Sequence, residues 1–292
     1  MKWTIIVHGG AHAVPDEQIQ AHENGCIAAA DAGAAILARG GSALNAAEAA
    51  IRVLEDDPVF NAGYGSVLNA DGEVAMDAAL MEGEHLNAGA VASVSGVRHP
   101  VSVARKVMET AHVLLSGSGA RRFAQQSGAE ICDPAEMVHD DQRRAWESSR
   151  LLRSADTVGA VAMDSRGNFA AGTSTGGTRH KLPGRIGDSP LIGLGLYADN
   201  SAGGVSMTGD GESIMRMALA HRVVNSLHDG FDADRAAEEA IAVMARRVGG
   251  EAGCVVVDRH GQVGQAHNSQ NLPCAWRTCE MQTSAVSMQK ER

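Results

Sequence analysis

The apolar and polar positions change pattern several times along the chain, and each change predicts an element. Residues 2–7 form a short apolar, β-branched run that reads as a buried strand leading into His8-Gly9-Gly10-Ala11. Residues 16–39 are Ala-rich with Ile and Leu at helical spacing, and Gly40-Gly41 supplies a stop. Ser42 then reads as the N-cap of a second helix, Ala43 to about Asp56, closed by Asp57-Pro58. A Gly/Asn-rich loop covers 59–72, short strands follow near 74–81 and 87–95, and Pro100 opens a helix to about Gln126. Residues 128–155 are charged and poor in β-branched residues, which predicts a surface linker. Beyond it, 158–164 and 168–175 are β-rich and flank Ser165-Arg166-Gly167, the pattern of a hairpin. A Gly/Pro-punctuated loop spans 176–195 and a strand lies near 203–208. Helices at 211–229 and 233–248 precede strands at 253–258 and 262–267, joined by Arg259-His260-Gly261. Strands and helices come in blocks, so the fold class is α+β, with layered sheets and helices in place of alternating βαβ units. The sequence contains no internal repeat.

Composition narrows this picture. The 292 residues can bury a sizeable core, and 44% are hydrophobic, yet no apolar run approaches the roughly 18–20 residues of a membrane span. A net charge of −10 lacks the positive field that attracts phosphate backbones, so neither nucleic acid nor membrane is expected as a partner. The 34 glycines without collagen-like period point to close backbone packing and to a site made partly of main chain. Cysteines at 26, 132, 254, 274 and 279 are odd in number, with no CxxC pair and no zinc-like spacing. The four-residue apolar run at 4–7 is too short for a signal core, so a reduced, cytoplasmic protein is expected.

Several short motifs carry candidate chemistry. Gly172-Thr173-Ser174-Thr175-Gly176 fits G-x-S-x-G, but the serine elbow needs a helix immediately afterwards and Thr178–Gly184 contains Pro183 and Gly184. Gly117-Ser118-Gly119 has no strand predicted before it and reads as a break in a helix. Gly209-Asp210-Gly211 follows a strand and opens a helix, so its N–H groups suit an anion or a developing oxyanion; a plain tight turn is the alternative. His8 and His12 straddle two glycines at a strand end and would not share a helical face, so no metal site is expected there. Thr157 starts a strand directly after Asp156, which taken alone is an ordinary β-branched strand start. Its neighbours in sequence, Thr173, Thr175, Arg185, Asp188 and Thr208, sit at strand ends or in Gly-rich loops. A hydroxyl nucleophile, a carboxylate-binding Arg and an ammonium-binding Asp together suit an amino-acid substrate. No histidine is suitably placed as base, but a Thr freed at a new N-terminus carries its own, an α-amine of pKa about 7.7–8.0.

At these residues the chain resembles the plant-type asparaginase/isoaspartyl peptidase family of N-terminal-nucleophile (Ntn) hydrolases. The resemblance is carried by HGGA (8–11), PVFNAGYGSVLNADGEVAMDAALMEG (58–83), DTVGAVAMDSRGNFAAGTSTGGTRHKLPGRIGDSPLIGLGLYADN (156–200) and VSMTGDGESIMR (205–216), about a third of the chain in the family's order. It implies a four-layer αββα sandwich, one structural domain made as a self-cleaving precursor. Cleavage at Asp156–Thr157 gives an α subunit, 1–156 with the linker at about 128–156, and a β subunit, 157–292. Thr157 then attacks the side-chain amide of L-asparagine or the isopeptide bond of a β-aspartyl dipeptide, releasing aspartate with ammonia or an amino acid.

The supporting roles follow position by position. Arg185 resembles the clamp on the substrate α-carboxylate, and Asp188, with the Gly211 carbonyl, the acceptor for its α-ammonium. The Thr208 hydroxyl and Gly209 N–H resemble an oxyanion hole, beside Asp210 in the same turn. Thr175 resembles the hydroxyl that polarises the nucleophile, and Asn61 an Asn near the oxyanion. Leu54, Glu55, Asp57, Phe60, Ala62 and Tyr64 lie in a loop resembling one that wraps a structural sodium ion through main-chain carbonyls; a simple stabilising turn is the alternative. No organic cofactor is implied, and the assembly implied is an (αβ)2 heterotetramer. Three departures stand out: Asp156 where many plant-type members have Gly, His12 where Gly is usual, and a linker shorter than in some relatives. Asp156 keeps a glycosylasparaginase open as a rival, and an uncleaved amino-acid-binding member is the non-enzymatic alternative.

Overall fold

The computed structural model describes residues 2–148 and 156–288. Its elements run β1 (Thr4–His8), α1 (Ile19–Leu37), α2 (Ala43–Asp56), β2 (Met76–Glu82), β3 (Ala88–Val94), α3 (Pro100–Val107), β4 (Leu114–Ser116), α4 (Gly117–Gln126) and α5 (Asp140–Ser148). After the junction come β5 (Val158–Met163), β6 (Phe169–Thr175), β7 (Leu196–Asp199), β8 (Gly203–Gly209), α6 (Gly211–Met217), α7 (Leu219–His228) and α8 (Ala233–Arg247). The strands β9 (Ala252–Asp258), β10 (Val263–His267), β11 (Cys274–Thr278) and β12 (Ala285–Ser287) complete the chain.

Two sheets organise these elements. The larger has the order β12-β11-β1-β5-β6-β2-β3-β4 and the smaller β10-β9-β8-β7. Period-two side-chain alternation decides what each face covers. On β1, Ile5 and Val7 pack with Ala29, Ala34 and Ile51 of α1 and α2, whereas Ile6 joins Val161, Phe169 and Val255 between the sheets. A third cluster joins Val205, Met207 and Val256 of the smaller sheet to Val223, Leu227 and Ile241 of α7 and α8. The sheets come close together at the start of β5. A Cβ on Gly159 would sit 2.0 Å from Ser206 Oγ and 2.5 Å from His8 Nε2, so only glycine fits between the layers there.

Helix starts follow local capping chemistry: the Ser42 side chain accepts from Asn45 N–H and the Asp232 side chain from Arg235 N–H. Elsewhere the pattern misled. The predicted helix 100–126 is two helices with β4 between them, because 114–116 pair in parallel with β3. Gly117-Ser118-Gly119 therefore follows a strand and opens α4; it does not interrupt a helix. The predicted helix 211–229 breaks at Ala218, which adopts φ 48° between α6 and α7. The predicted linker is also largely folded. Residues 134–137 form a 3-10 turn with Met137 buried, and Trp146 of α5 donates its indole N–H to the Asn69 carbonyl at 2.8 Å. One indole and one thioether are too few to make an apolar stripe, which is why that segment reads as linker. Residues 149–155 of it lie outside the described residues. Strands β7, β11 and β12 escaped prediction because β7 and β12 are very short and β11 and β12 lack alternating burial.

Candidate active site

The C-terminal end of β6, the start of β5 and the C-terminal end of β8 meet around the Asp156–Thr157 peptide. Thr157 and Asp156 are both buried. The Asp156 carbonyl oxygen accepts from Thr175 Oγ1 at 2.6 Å and from Asn61 Nδ2 at 3.1 Å. The Thr157 N–H donates to Thr208 Oγ1 at 3.1 Å, and the same hydroxyl oxygen accepts from Ala11 N–H at 3.2 Å. Thr157 Oγ1 lies 3.0 Å from Ser189 Oγ. Every polar atom of the peptide unit is thus held, and its carbonyl faces two donors.

Each partner is itself fixed. Asn61 Oδ1 accepts from Val67 N–H at 2.9 Å, and Asn61 Nδ2 also reaches the Gly177 carbonyl at 2.8 Å. Thr175 Oγ1 accepts from Gly177 N–H, and the Ser189 carbonyl accepts from Thr173 Oγ1 at 2.6 Å. His8 contacts Ser206 Oγ through Nε2 at 2.7 Å, and burial lowers its pKa to about 3. With so low a pKa His8 is a weak base, unsuited to deprotonate Thr157 although it also bonds the Thr157 backbone.

Arg185 and Asp188 lie on the loop after β6 and bound the same small cavity as Thr157. Burial raises the Asp188 pKa to about 7 against the pull of its own backbone N–H and of Arg185, and Asp188 Oδ2 has no hydrogen-bond partner among the described residues. A Cβ on Gly211 would meet Asp188 Oδ1 at 2.8 Å and Arg185 Nη2 at 3.0 Å, so the bare Gly211 backbone packs against both. The Arg185 fork is closed on Glu212, Nε to Oε1 at 3.0 Å and Nη2 to Oε2 at 2.8 Å. That carboxylate occupies Arg185 in the bidentate geometry a substrate carboxylate would use. Asp210 lines the wider cleft, where Ser213 Oγ donates to its carboxylate.

Space at the site is divided. A cavity of about 10 Å3, bounded by Asp156, Thr157, Thr175, Asp188, Ser189 and Gly209, is room for about one water. A cleft of about 1380 Å3 lies beside it and shares Asp156, Arg185 and Gly209 as walls. With the chain continuous through Asp156–Thr157, Asp156 stands between the nucleophile and the cleft.

Residues 1–286 match the asparaginase family. The bovine isoaspartyl peptidase/L-asparaginase is 41% identical over 94% of this chain and 93% of its own length. The zebrafish protein of the same name is 43% identical, over 94% and 92%, and the human one 41% identical, over 93% and 92%. The chain belongs to the asparaginase family. As an asparaginase-family hydrolase, it accounts for several motifs that the sequence left open. The G-x-S-x-G serine is one: Ser174 Oγ donates to Glu55 Oε1 at 2.6 Å on the helix side of β6, whereas Thr173 and Thr175 face the other side. The serine elbow is therefore rejected. Ser174→Ala is expected to keep hydrolase turnover within about twofold while lowering stability by about 1–3 kcal/mol, the cost of leaving the Glu55 carboxyl underpaired. Steady-state assay and thermal melts of that variant check both halves.

The last turn of α2, which holds Leu54 and Glu55, and the loop after it present main-chain carbonyl oxygens. A Cβ on Gly63 would lie 2.2 Å from the Glu55 carbonyl oxygen, and one on Gly65 2.1 Å from that of Phe60 and 2.7 Å from that of Pro58. Carbonyl oxygens therefore crowd toward bare glycine backbone. The Asp57, Phe60 and Ala62 carbonyls each accept one loop N–H and keep a second lone pair. An all-carbonyl oxygen set fits a sodium-sized ion better than a soft metal.

Sequence reasoning missed two members of the site, Ser189 and Glu212. Both sit inside the quoted motifs, one residue after Asp188 and one after Gly211. Nothing in a linear pattern shows that one hydroxyl reaches Thr157 or that one carboxylate fills the Arg185 fork.

Proposed function

We propose that this protein is a self-cleaving threonine hydrolase that acts on L-asparagine and β-aspartyl dipeptides. The observation that carries the reading is the pairing of Asn61 and Thr175 on the Asp156 carbonyl, with the Thr157 hydroxyl in the next residue. Donors on a carbonyl oxygen favour the oxyanion that forms when that carbonyl is attacked, each typically worth about 10²–10³ in rate. In the first step Thr157 Oγ1 adds to the Asp156 carbonyl carbon. The C–N bond then breaks, and the hydroxyl proton ends on the Thr157 nitrogen, leaving an ester and a free α-amine. Water hydrolyses the ester, Asp156 gains a carboxylate, and the chain becomes an α subunit, 1–156, and a β subunit, 157–292.

Release of Asp156 removes the barrier between nucleophile and cleft. The Thr157 α-amine now takes the proton of its own hydroxyl. The substrate α-carboxylate replaces Glu212 in the Arg185 fork, and its ammonium meets Asp188 and the Gly211 carbonyl. The side-chain carbonyl then lies at Thr157 Oγ1, with Thr208 Oγ1 and Gly209 N–H as the donors for the new oxyanion. The amine or ammonia leaves with a proton, and water releases aspartate from the ester. The carbonyls of Leu54, Glu55, Asp57, Phe60, Ala62 and Tyr64 would hold a sodium ion that stiffens the loop carrying Asn61. Two sheets facing each other, with helices outside both, support the four-layer αββα sandwich of an Ntn hydrolase. An (αβ)2 assembly belongs to the same reading. So does a cytoplasmic site, in keeping with five free cysteines; no described helix is long and apolar enough to cross a membrane.

Rates on β-Asp-Leu, L-asparagine and N4-GlcNAc-asparagine test the substrate class. Hydrolysis of the first two, with GlcNAc-asparagine at least about tenfold slower, is expected. The reverse order would make the protein a glycosylasparaginase, the rival that Asp156 keeps open.

A further inference from the structure

His12 has no part in the chemistry just described, yet it touches the residue whose carbonyl is attacked. Its Nδ1 lies 2.8 Å from Asp156 Oδ1. The Asp156 side of the contact is buried and the His12 side half-buried, with 9% and 19% of the side chains exposed. His12 is itself anchored, because its N–H donates to the Asn271 carbonyl at 3.2 Å and its carbonyl accepts from Asn271 N–H at 3.0 Å. Its neighbour Ala11 donates to Thr208 Oγ1, the acceptor that also holds the Thr157 N–H. The strap 8–12 thus grips both sides of one peptide bond: Asp156 through His12, and the Thr157 N–H through the hydroxyl that Ala11 shares.

We propose that His12 is a positioning residue for self-cleavage, which pairs with the Asp156 carboxylate so that the Asp156 carbonyl is correctly set and its side-chain charge neutralised when the oxyanion forms. The inference rests on the self-cleavage reading above. Two physical effects carry it. The first is orientation: the carbonyl is fixed by Asn61 and Thr175, and the ion pair adds a third anchor on the same residue, limiting rotation of the acyl group against Thr157 Oγ1. The second is electrostatic. An unpaired carboxylate two carbons removed from an incipient oxyanion repels it, and in a buried site this repulsion is poorly screened. An imidazolium on that carboxylate cancels most of it.

The groups facing His12 are consistent with a charged ring. Burial opposes the charge, but the Asp156 carboxylate outweighs it and raises the His12 pKa above its ordinary value. His22 of α1 lies beside it with ring centroids 5.5 Å apart, and there burial lowers the pKa, which disfavours a second charged imidazole. Asp57 acts on His22 through its negative charge and adds no positive charge. The same cleft is lined by the acidic Asp141, Asp210, Glu212 and Glu251 and also by His180 and the cations Arg179, Lys181 and Arg185, of which Arg185 is paired with Glu212. The imidazolium is present below the raised His12 pKa and disappears as the pH climbs through it, so its benefit belongs to the acidic side of that point.

The test is a time course of precursor conversion for the full chain, wild type, His12→Gln, Asp156→Asn and the double variant, read on denaturing gels from pH 5.5 to 9. Circular dichroism of each variant confirms that it is folded. His12→Gln keeps a neutral donor of similar reach and is expected to convert at least tenfold more slowly at pH 6. The ratio of wild-type to His12→Gln rates is expected to shrink toward one as the pH rises through the His12 pKa. The double variant is expected to be no slower than His12→Gln alone, because there is then no carboxylate to neutralise. Equal rates for wild type and His12→Gln, a ratio independent of pH, or simple additivity in the double variant would overturn the role of His12. Absence of conversion in the wild type would instead overturn the self-cleavage reading itself, so the two failures are distinguishable.

Discussion

Thr157→Ala is expected to remain one chain of about 30 kDa and to lose turnover on L-asparagine and β-Asp-Leu by about 10⁴-fold or more. Two losses combine in this variant. The hydroxyl that attacks is gone, and because the Asp156–Thr157 bond is never cut, no α-amine appears to serve as base. The rest of the fold should be little changed. Among the described residues the Thr157 side chain has one polar partner, Ser189 Oγ, and the main-chain N–H bond to Thr208 Oγ1 survives the substitution. Gel mobility, an activity assay and circular dichroism on the same preparation separate chemistry from folding. Turnover within tenfold of wild type from the uncut variant would mean that another group is the nucleophile.

The second large effect belongs to the substrate clamp. Arg185→Ala is expected to lower kcat/KM by about 10²–10⁴, since a bidentate carboxylate contact supplies two charge-assisted hydrogen bonds worth about 1.5–3 kcal/mol each. Asp188 adds a pH signature. Burial lifts its pKa to about 7, so under the proposed clamp the carboxylate needed for the substrate ammonium exists above that pH and is lost as the pH falls through it. The Thr157 α-amine must also be unprotonated, which adds its own acid limb near pH 7.7–8.0. Two required deprotonations make the acid limb of log kcat/KM approach a slope of two. Asp188→Asn removes one, so the limb should approach a slope of one at a much reduced plateau. An unchanged slope in Asp188→Asn would remove Asp188 from the clamp.

How much of this was legible in the sequence depended on the range of the signal. Locally encoded features were read correctly: the Ser42 cap, the 158–175 hairpin and the strand-to-helix turn at Gly209-Asp210-Gly211 all rest on neighbouring residues. Features fixed by distant pairing were not. Strand β4 exists because β3 offers it an edge, and β11 because β1 does, while neither carries a periodic pattern strong enough to announce itself. The site divides in the same way. Thr157, Arg185 and Asp188 stood out as chemistry-bearing residue types in Gly-rich surroundings, and the family resemblance gave each a role. The structure places the Thr175 hydroxyl on the Asp156 carbonyl, whereas Ser189 is the hydroxyl at Thr157 Oγ1. Those partners are set by how β5, β6 and the 185–189 loop stack, and no spacing rule contains that information. Ser174 and Thr175 show the point most sharply: adjacent hydroxyls point to opposite faces of one strand, one to Glu55 and one to the Asp156 carbonyl.

The central claim is that Thr157 becomes an N-terminus, and the intact mass of the freshly purified protein with N-terminal sequencing of its fragments tests this most directly. Cleavage before Thr157 predicts two species of about 16 and about 14 kDa from a 30.3 kDa chain, the smaller beginning Thr-Val-Gly-Ala. A stable species of 30.3 kDa, or fragments with any other new N-terminus, would contradict the account.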